Sequence, residues 1–443
     1  MTTMTTKITF HIQNGGQLNG QARVAGDKSM SHRSIMLGSL AQGVTHVTGF
    51  LEAEDALATL QAFRDMGVVI EQLGDGCVTI HGVGKNGLKA PTKPLYLGNS
   101  GTSMRLLSGL LAGQDFDCVL TGDESLSKRP MKRVTEPLAR MGAVIKTSET
   151  GTSPLYISGQ ASKLHGIDYT MPMASAQVKS CLLLAGMYAQ GETTVTEPAP
   201  TRDHTERMLN GFGYPVSQQG NQASINANGQ LTACDIDVPS DISSAAFFLV
   251  GASIAPNSNV LLKHVGINPT RTGVIDILRL MGANIEILNE HEVGGEPVAD
   301  LRVTSSQLNG IKIPEHLVPL AIDEFPVLFI AAACATGETT LTGAEELRVK
   351  ESDRIQVMAD GLQTLGVNAV ATADGMIIQG GSIGGGVIES HGDHRIAMAF
   401  AIAGLRANAP ITILDCANVN TSFPQFKAIA TTLGLTLTSQ EEA

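Results

Sequence analysis

Leu138-Ala139-Arg140-Met141-Gly142-Ala143-Val144-Ile145 is the stretch on which the fold turns, because its pattern occurs six times along the chain. Phe63-Arg64-Asp65-Met66-Gly67-Val68-Val69-Ile70 precedes it. Met208-Leu209-Asn210-Gly211-Phe212-Gly213 and Leu278-Arg279-Leu280-Met281-Gly282-Ala283-Asn284-Ile285 follow, then Leu362-Gln363-Thr364-Leu365-Gly366-Val367-Asn368-Ala369 and Thr432-Leu433-Gly434-Leu435-Thr436-Leu437. Each reads as a helix end, a glycine and an alternating strand. Glycine after the last helical turn is the expected C-terminal stop. The alternation of Val69, Glu71 and Leu73 reads as a half-buried strand. The spacing, roughly 70 to 85 residues, is longer than the common solenoid periods.

About 40 residues before each glycine lies a second shared element, an apolar, small-residue helix with a polar start. The six starts are Lys28-Ser29, Asn99-Ser100-Gly101, Ser175-Ala176-Gln177, Ser240-Asp241, Asp323-Glu324 and Asp393-His394-Arg395. After Ser175, Val178, Cys181, Leu182 and Ala185 fall at i, i+3, i+4 and i+7. Such helices are apolar around much of their circumference, so burial is expected. Each unit then holds one buried helix, one more exposed helix and several strands, an α/β architecture.

Six units imply two similar domains of three repeats hinged around a central cleft. The last unit stops soon after Gly434, before its strands are complete, and Ile8-Thr9-Phe10-His11-Ile12 is a candidate for the missing strand. Residues 1–22 and 241–443 would form one discontinuous domain, and 23–240 an inserted one. The chain would cross near Gly20–Arg23 and again near Asp237–Asp241, and two crossings make a natural hinge.

The 443 residues exceed one ordinary core. A formal net charge of −12 argues against nonspecific binding to nucleic acid or to an anionic membrane. Cys77, Cys118, Cys181, Cys234, Cys334 and Cys416 are far apart and form no CxxC pair, so buried reduced thiols and no zinc site are expected. Met1 to Phe10 lacks the apolar core of a signal peptide, and no 18-residue apolar span exists, so a cytoplasmic location is expected.

The polar helix starts carry the chemistry. Helix N-termini present free N–H groups and a partial positive charge, and several facing one cleft would trap anions. Ser, Asp and Asn there are also ordinary caps; capping does not account for Lys28, Arg33, His394 and Arg395 at the same ends. Lys28 and Arg33 supply a point charge and a planar fork suited to phosphate and carboxylate. Gly98 and Gly101 allow close backbone approach to a ligand. Lys128, Arg129, Lys132 and Arg133 follow a Gly-Asp turn. Lys350 and Arg354 are four apart and are expected to share a helix face. Cations beside Glu351 favour its charged form, which burial would oppose. The His391 to His394 spacing lacks the remaining ligands of a metal motif.

In order along the chain stand GDKSMSHR at 26–33, LGNSGTSMR at 97–105, KRP at 128–130, SAQVKS at 175–180 and TRDHTE at 201–206. IDEFPVL at 322–328, RVKESDR at 348–354, DHRIAM at 393–398 and TSFPQF at 421–426 follow. Together they resemble the 5-enolpyruvylshikimate-3-phosphate synthases. The resemblance implies two domains of three βαβαββ units. It implies transfer of the enolpyruvyl group of phosphoenolpyruvate to the 5-hydroxyl of shikimate 3-phosphate by addition and elimination, without metal or organic cofactor, in a monomer that glyphosate targets. By the same resemblance, Lys28, Ser29, Arg33, Ser175, Ala176, Gln177, Arg202, Asp323 and Lys350 contact shikimate 3-phosphate. Lys28, Asn99, Gly101, Gln177, Arg129, Arg354 and Arg395 contact phosphoenolpyruvate. Asp323, Glu351 and Lys28 lie nearest the chemistry, with Asp323 acting on the hydroxyl, and Glu351 or Lys28 on the C3 proton.

Where some members carry a lysine before Thr-Phe-Pro, this chain reads Thr421-Ser422-Phe423-Pro424. Where those members carry proline after Met-Arg, it has Leu106. The alternative enzyme is the sister transferase acting on a UDP-amino sugar, which typically has a reactive cysteine in a mobile loop; the comparable loop here, Gly122 to Arg133, has none. A noncatalytic anion-binding protein on the same scaffold is disfavoured by Asp323, Lys350 and Glu351 together.

Overall fold

A computed structural model describes residues 7–159 and 163–442. The twelve α-helices among them are α1 (Lys28–Leu40), α2 (Glu54–Asp65), α3 (Gly101–Ala112), α4 (Lys132–Arg140), α5 (Ala176–Gly186) and α6 (His204–Gly211), then α7 (Ile242–Ile254), α8 (Gly273–Leu280), α9 (Phe325–Cys334), α10 (Arg354–Thr364), α11 (His394–Ala403) and α12 (Phe426–Leu433).

Every one of the six repeat glycines has positive φ: Gly67, Gly142, Gly213, Gly282, Gly366 and Gly434, between 79° and 122°. In each case the next residue donates its N–H to a carbonyl five positions back, as in Ala143 to Leu138 at 3.0 Å and Val367 to Leu362 at 2.9 Å. This pairing closes the helix end and turns the chain into the strand. A side chain in the left-handed region is strained, which is why glycine recurs.

The sheets repeat one plan. Leu95–Tyr96 runs parallel to Cys118–Thr121, which pairs antiparallel with Leu155–Ser158, itself antiparallel to Val144–Lys146. Asp168–Thr170, Glu192–Thr196, Gln222–Asn226 and Ser217–Gln219 repeat that order. Each repeat is thus strand, buried helix, parallel strand, outer helix and hairpin. Three repeats borrow a strand from far along the chain. Ile236–Asp237 pairs parallel with Gln42–Thr48 to open the first repeat's sheet, and Asn19–Ala22 pairs parallel with Asn259–Gly266. Lys7–Ile12 lies between Ile411–Leu414 and Leu437–Glu442, antiparallel to both.

Two compact units result. One comprises Met1–Ala25, Pro239–His291 and Pro297–Ala443; the other comprises Gly26–Val238 with Glu292–Glu296. Residues 1–6, the start of the predicted discontinuous domain, lie outside the described residues. Each unit holds three sheets and three largely buried helices: α1, α3 and α5 in one, and α7, α9 and α11 in the other. All thirteen residues of α7 are buried. α3 packs on α5 closely enough that a Cβ on Gly109 would collide with the Cys181 carbonyl. Cys118, Cys181 and Cys416 are buried, whereas Cys77, Cys234 and Cys334 are partly exposed; all six are free. No helix among the described residues is long and apolar enough to cross a membrane.

Candidate active site

The six polar starts named from sequence all stand at or beside the N-termini of the buried helices. Several side chains there are caps. Asp27 accepts from Met30 N, Ser100 from Ser103 N, Ser175 from Val178 N, Asp241 from Ser243 N and Asp393 from Arg395 N. The caps and the candidate ligand-contacting residues therefore fall on the same short segments, where the helix N–H groups begin.

In the Gly26–Val238 unit, Lys28 opens α1, with Ser29 beside it, and forms an ion pair with Asp55 at the start of α2. Asp55 is 5% exposed, and its Oδ1 has no hydrogen-bond partner among the described residues. Sequence reading missed Asp55, whose only local signal is an acidic helix start. Arg33, one turn on, is buried. Its Nε donates to Thr205 Oγ1 at 2.7 Å, Nη2 to Ser180 Oγ at 2.9 Å and Nη1 to the Ser29 carbonyl at 3.0 Å. Burial pulls its guanidinium down to about 10, against the opposing charges of Glu206 and Asp27. Between them, His32 is buried with Nδ1 2.8 Å from Thr59 Oγ1; burial, then the charges of Lys28 and Arg33, holds it well below the usual imidazole range, so it is neutral.

Asn99, Gly101 and Arg129 come together. Arg129 Nη2 donates to Asn99 Oδ1 at 2.6 Å, Asn99 Nδ2 donates to Asp123 at 2.7 Å, and a Cβ on Gly101 would stand 3.2 Å from Arg129 Nη1. Gln177, next to Ala176 in the first turn of α5, reaches to α3, accepting from Arg105 Nη1 and donating to Thr102 Oγ1 at 3.1 Å. Arg105, the last residue of the 97–105 stretch, joins this cluster through a contact that its place in the sequence does not signal. Burial, with Arg133 and Arg129 nearby, lowers it to about 10. Arg202 is half-buried in the segment that leads into α6.

In the other unit, one arginine organises four carboxylate contacts. Arg354, 1% exposed, places Nη2 2.7 Å from Glu351 Oε2 and 3.4 Å from Asp393 Oδ1, Nε 2.9 Å from Asp393 Oδ2 and Nη1 3.4 Å from Asp323 Oδ1. Burial alone would lower its pKa, but Asp393, Glu351 and Asp323 raise it well above the ordinary arginine value. Lys350 Nζ lies 3.5 Å from Asp323 Oδ1 and 2.6 Å from Glu346. Arg395 Nη1 donates to the Asp323 carbonyl at 2.9 Å.

The shared helix face expected for Lys350 and Arg354 does not exist. A 3₁₀ turn ends at Val349, Lys350 is extended, and α10 begins only at Arg354, capped by Asp353. Asp323 brings the two cations together instead. The Glu351 side chain is 36% exposed; the burial it does have pushes its carboxyl up, and Arg354 with His394 behind it more than reverses this, leaving the carboxyl below the usual glutamate range. His394 itself is buried and pulled down to about 4, chiefly by that burial, against the pull of Asp393. As arranged, the Glu351 carboxyl is ionised beside Arg354.

The EPSP synthase family model, described as 3-phosphoshikimate 1-carboxyvinyltransferase, matches residues 12–429. The chain is 70% identical to the 3-phosphoshikimate 1-carboxyvinyltransferase of Methylococcus capsulatus, over 97% of this chain and 98% of that one. It is 67% identical to the protein of the same name from Alkalilimnicola ehrlichii, over 97% of each. An EPSP synthase structure from Acinetobacter baumannii superposes with a TM-score of 0.91 at 60% identity, covering 98% of this chain and 100% of that one. The enolpyruvyl transferase NikO of Streptomyces tendae, at 16% identity, shares the fold with a TM-score of 0.80, over 99% and 100% of the two chains.

Proposed function

The chain belongs to the EPSP synthase family, and from that premise we propose how its residues divide the work. The enzyme transfers the enolpyruvyl group of phosphoenolpyruvate to shikimate 3-phosphate and releases phosphate, a step of the shikimate pathway. The single observation that carries the division of roles is the sharing of Arg354 by Asp323 and Glu351, which ties two candidate proton carriers to one cation.

In this reading Lys28, Ser29, Arg33, Ser175, Ala176, Gln177 and Arg202, with Asp323 and Lys350, hold shikimate 3-phosphate. Lys28, Asn99, Gly101, Arg129, Gln177, Arg354 and Arg395 hold phosphoenolpyruvate. The carboxylate of phosphoenolpyruvate competes with Glu351 for Arg354, and Glu351, so released, takes up a proton from solvent. Asp323 takes the proton of the 5-hydroxyl as its oxygen bonds to C2. C3 gains a proton from Glu351, and the adduct carries a methyl group. The C2–phosphate oxygen bond then breaks, the departing phosphate takes up the proton held by Asp323, and C3 returns a proton to Glu351 as the double bond re-forms. Lys28, Lys350 and the arginines stabilise the charge on both phosphates and the carboxylates. The reaction calls for no cofactor, and the enzyme works as a monomer.

The test is phosphate release from phosphoenolpyruvate with each acceptor in turn. Release only with shikimate 3-phosphate is the expected result. Equal or better turnover with a UDP-amino sugar would overturn the acceptor assignment.

A further inference from the structure

Four charged side chains are buried together in the Gly26–Val238 unit, and the reaction described above uses only one of them. Lys179, on α5 two residues after Gln177, is 2% exposed. Its Nζ stands 2.7 Å from Glu206 Oε1 and 3.1 Å from Glu197 Oε2. Glu206, on α6, is fully buried, and Glu197 is 8% exposed. Arg33 is the fourth. Its hydrogen-bond partners Ser180 and Thr205 are the sequence neighbours of Lys179 and Glu206, and Thr205 Oγ1 donates to Ser180 Oγ at 2.7 Å. Two cations and two anions balance.

Burying charges is expensive, and well-packed apolar side chains of the same volume often serve stability as well or better. A stability role alone therefore leaves the quartet unexplained, whereas the geometry it imposes is specific. The Glu197 carboxylate accepts from Thr201 N at 3.2 Å and from Thr201 Oγ1 at 2.6 Å. Its backbone is fixed in turn, with Glu197 N donating to the Asn221 carbonyl and Asn221 Nδ2 donating to the Glu197 carbonyl. On the far side of Arg202, Asp203 is bound by Arg207 Nε at 2.9 Å. The backbone on both sides of Arg202 is thus tied down, and Lys179 holds the carboxylate that ties one side. Lys179 also sits in the same helical turn as Ser175 and Gln177.

We propose that Glu197, held by the Lys179 ammonium that it shares with Glu206, is a positioning residue that sets Arg202 for the phosphate of shikimate 3-phosphate. It touches no substrate and acts through Thr201. The proposal rests on the reading that Arg202 grips that phosphate.

Replacing Lys179 alone would leave two carboxylates unpaired in the core and risks unfolding, so the test targets Glu197. Glu197→Leu removes the Thr201 tether but leaves Lys179 paired with Glu206. Glu197→Gln keeps the shape and an acceptor for Thr201 N. Melting temperatures confirm that each variant folds. Glu197→Leu should raise KM for shikimate 3-phosphate about tenfold, the loss of roughly one ordered hydrogen-bond tether. Its kcat and its KM for phosphoenolpyruvate should stay within about threefold. Glu197→Gln should recover most of the loss. Arg202→Ala, measured beside them, should raise the same KM, and Glu197→Leu added to it should change KM no further. A lowered melting temperature with unchanged KM would overturn the proposal, as would an additive loss in the double variant. If Arg202→Ala itself left KM unchanged, the phosphate-grip reading of Arg202 would fall first, and the proposal with it.

Discussion

His394 gives the sharpest quantitative test of the electrostatics. Its imidazole is buried at the first turn of α11 and pulled from 6.5 down to about 4. Between those two values the unfolded chain takes up a proton that the native site refuses. Stability therefore falls as pH drops from about 6.5 to about 4 and levels off below. At about 1.4 kcal/mol per pH unit the whole window is worth about 3 kcal/mol, of which about 2.5 kcal/mol is gone by pH 4.5. The carboxylates held low beside it, Glu351 and Asp393, act in a separate window. Their stabilisation is complete above the ordinary carboxylate pKa of about 4 and is lost only as pH falls through their depressed values. His32, lowered in the other unit, also costs stability as pH drops below about 6.5, so the parent curve alone does not isolate either residue. The difference between parent and His394→Gln does. The chain has no tryptophan, so urea unfolding is followed by far-ultraviolet circular dichroism at pH 7.5 and 4.5. The parent should lose about 2.5 kcal/mol more than the variant over that interval. Equal losses, or a His394 imidazole resonance that titrates near 6.5, would refute the reasoning.

Asp323→Ala and Glu351→Gln should each lower kcat by roughly 10²-fold or more while shikimate 3-phosphate still binds within about tenfold of the parent, measured by calorimetry beside steady-state kinetics. Near-normal kcat in Glu351→Gln would make Lys28 the leading proton donor. Arg33→Ala should weaken shikimate 3-phosphate binding by about 2 kcal/mol or more; it should also lower the melting temperature, because Ser180 and Thr205 lose a buried charged partner. Gly101→Ala puts a methyl group 3.2 Å from Arg129 Nη1, so the guanidinium must shift. KM for phosphoenolpyruvate should rise about tenfold with KM for shikimate 3-phosphate nearly unchanged, and an equal rise in both would count against that placement of Arg129.

The repeat was legible in the sequence because its signal is local. A left-handed residue at a helix end is strained with almost any side chain, so Gly67, Gly142, Gly213, Gly282, Gly366 and Gly434 mark the six helix ends by residue type alone. The buried helices were legible for a similar reason, since an element apolar on all sides has no face to give to water. The incomplete sixth unit raised the question of a missing strand, and in the structure Lys7–Ile12 fills the gap between Ile411–Leu414 and Leu437–Glu442. Ile236–Asp237 and Asn19–Ala22 carried no comparable signal. Each is short, and its place is set by a partner far along the chain. The polar helix starts, and the motifs they belong to, were likewise written in runs of a few residues. Which carboxylate faces which cation was not. Asp55 reaches Lys28 from another helix, and Arg354 meets Asp323 and Asp393 from separate repeats. Sequence spacing put Lys350 and Arg354 on one helical face, whereas Lys350 is extended, the chain bends at Glu351 and Ser352 before α10 begins, and a carboxylate from the preceding buried helix start joins the two cations. Backbone conformation depends on near neighbours and can be read along the chain. Charge pairing depends on distances across the packed core, and only the tertiary fold sets those.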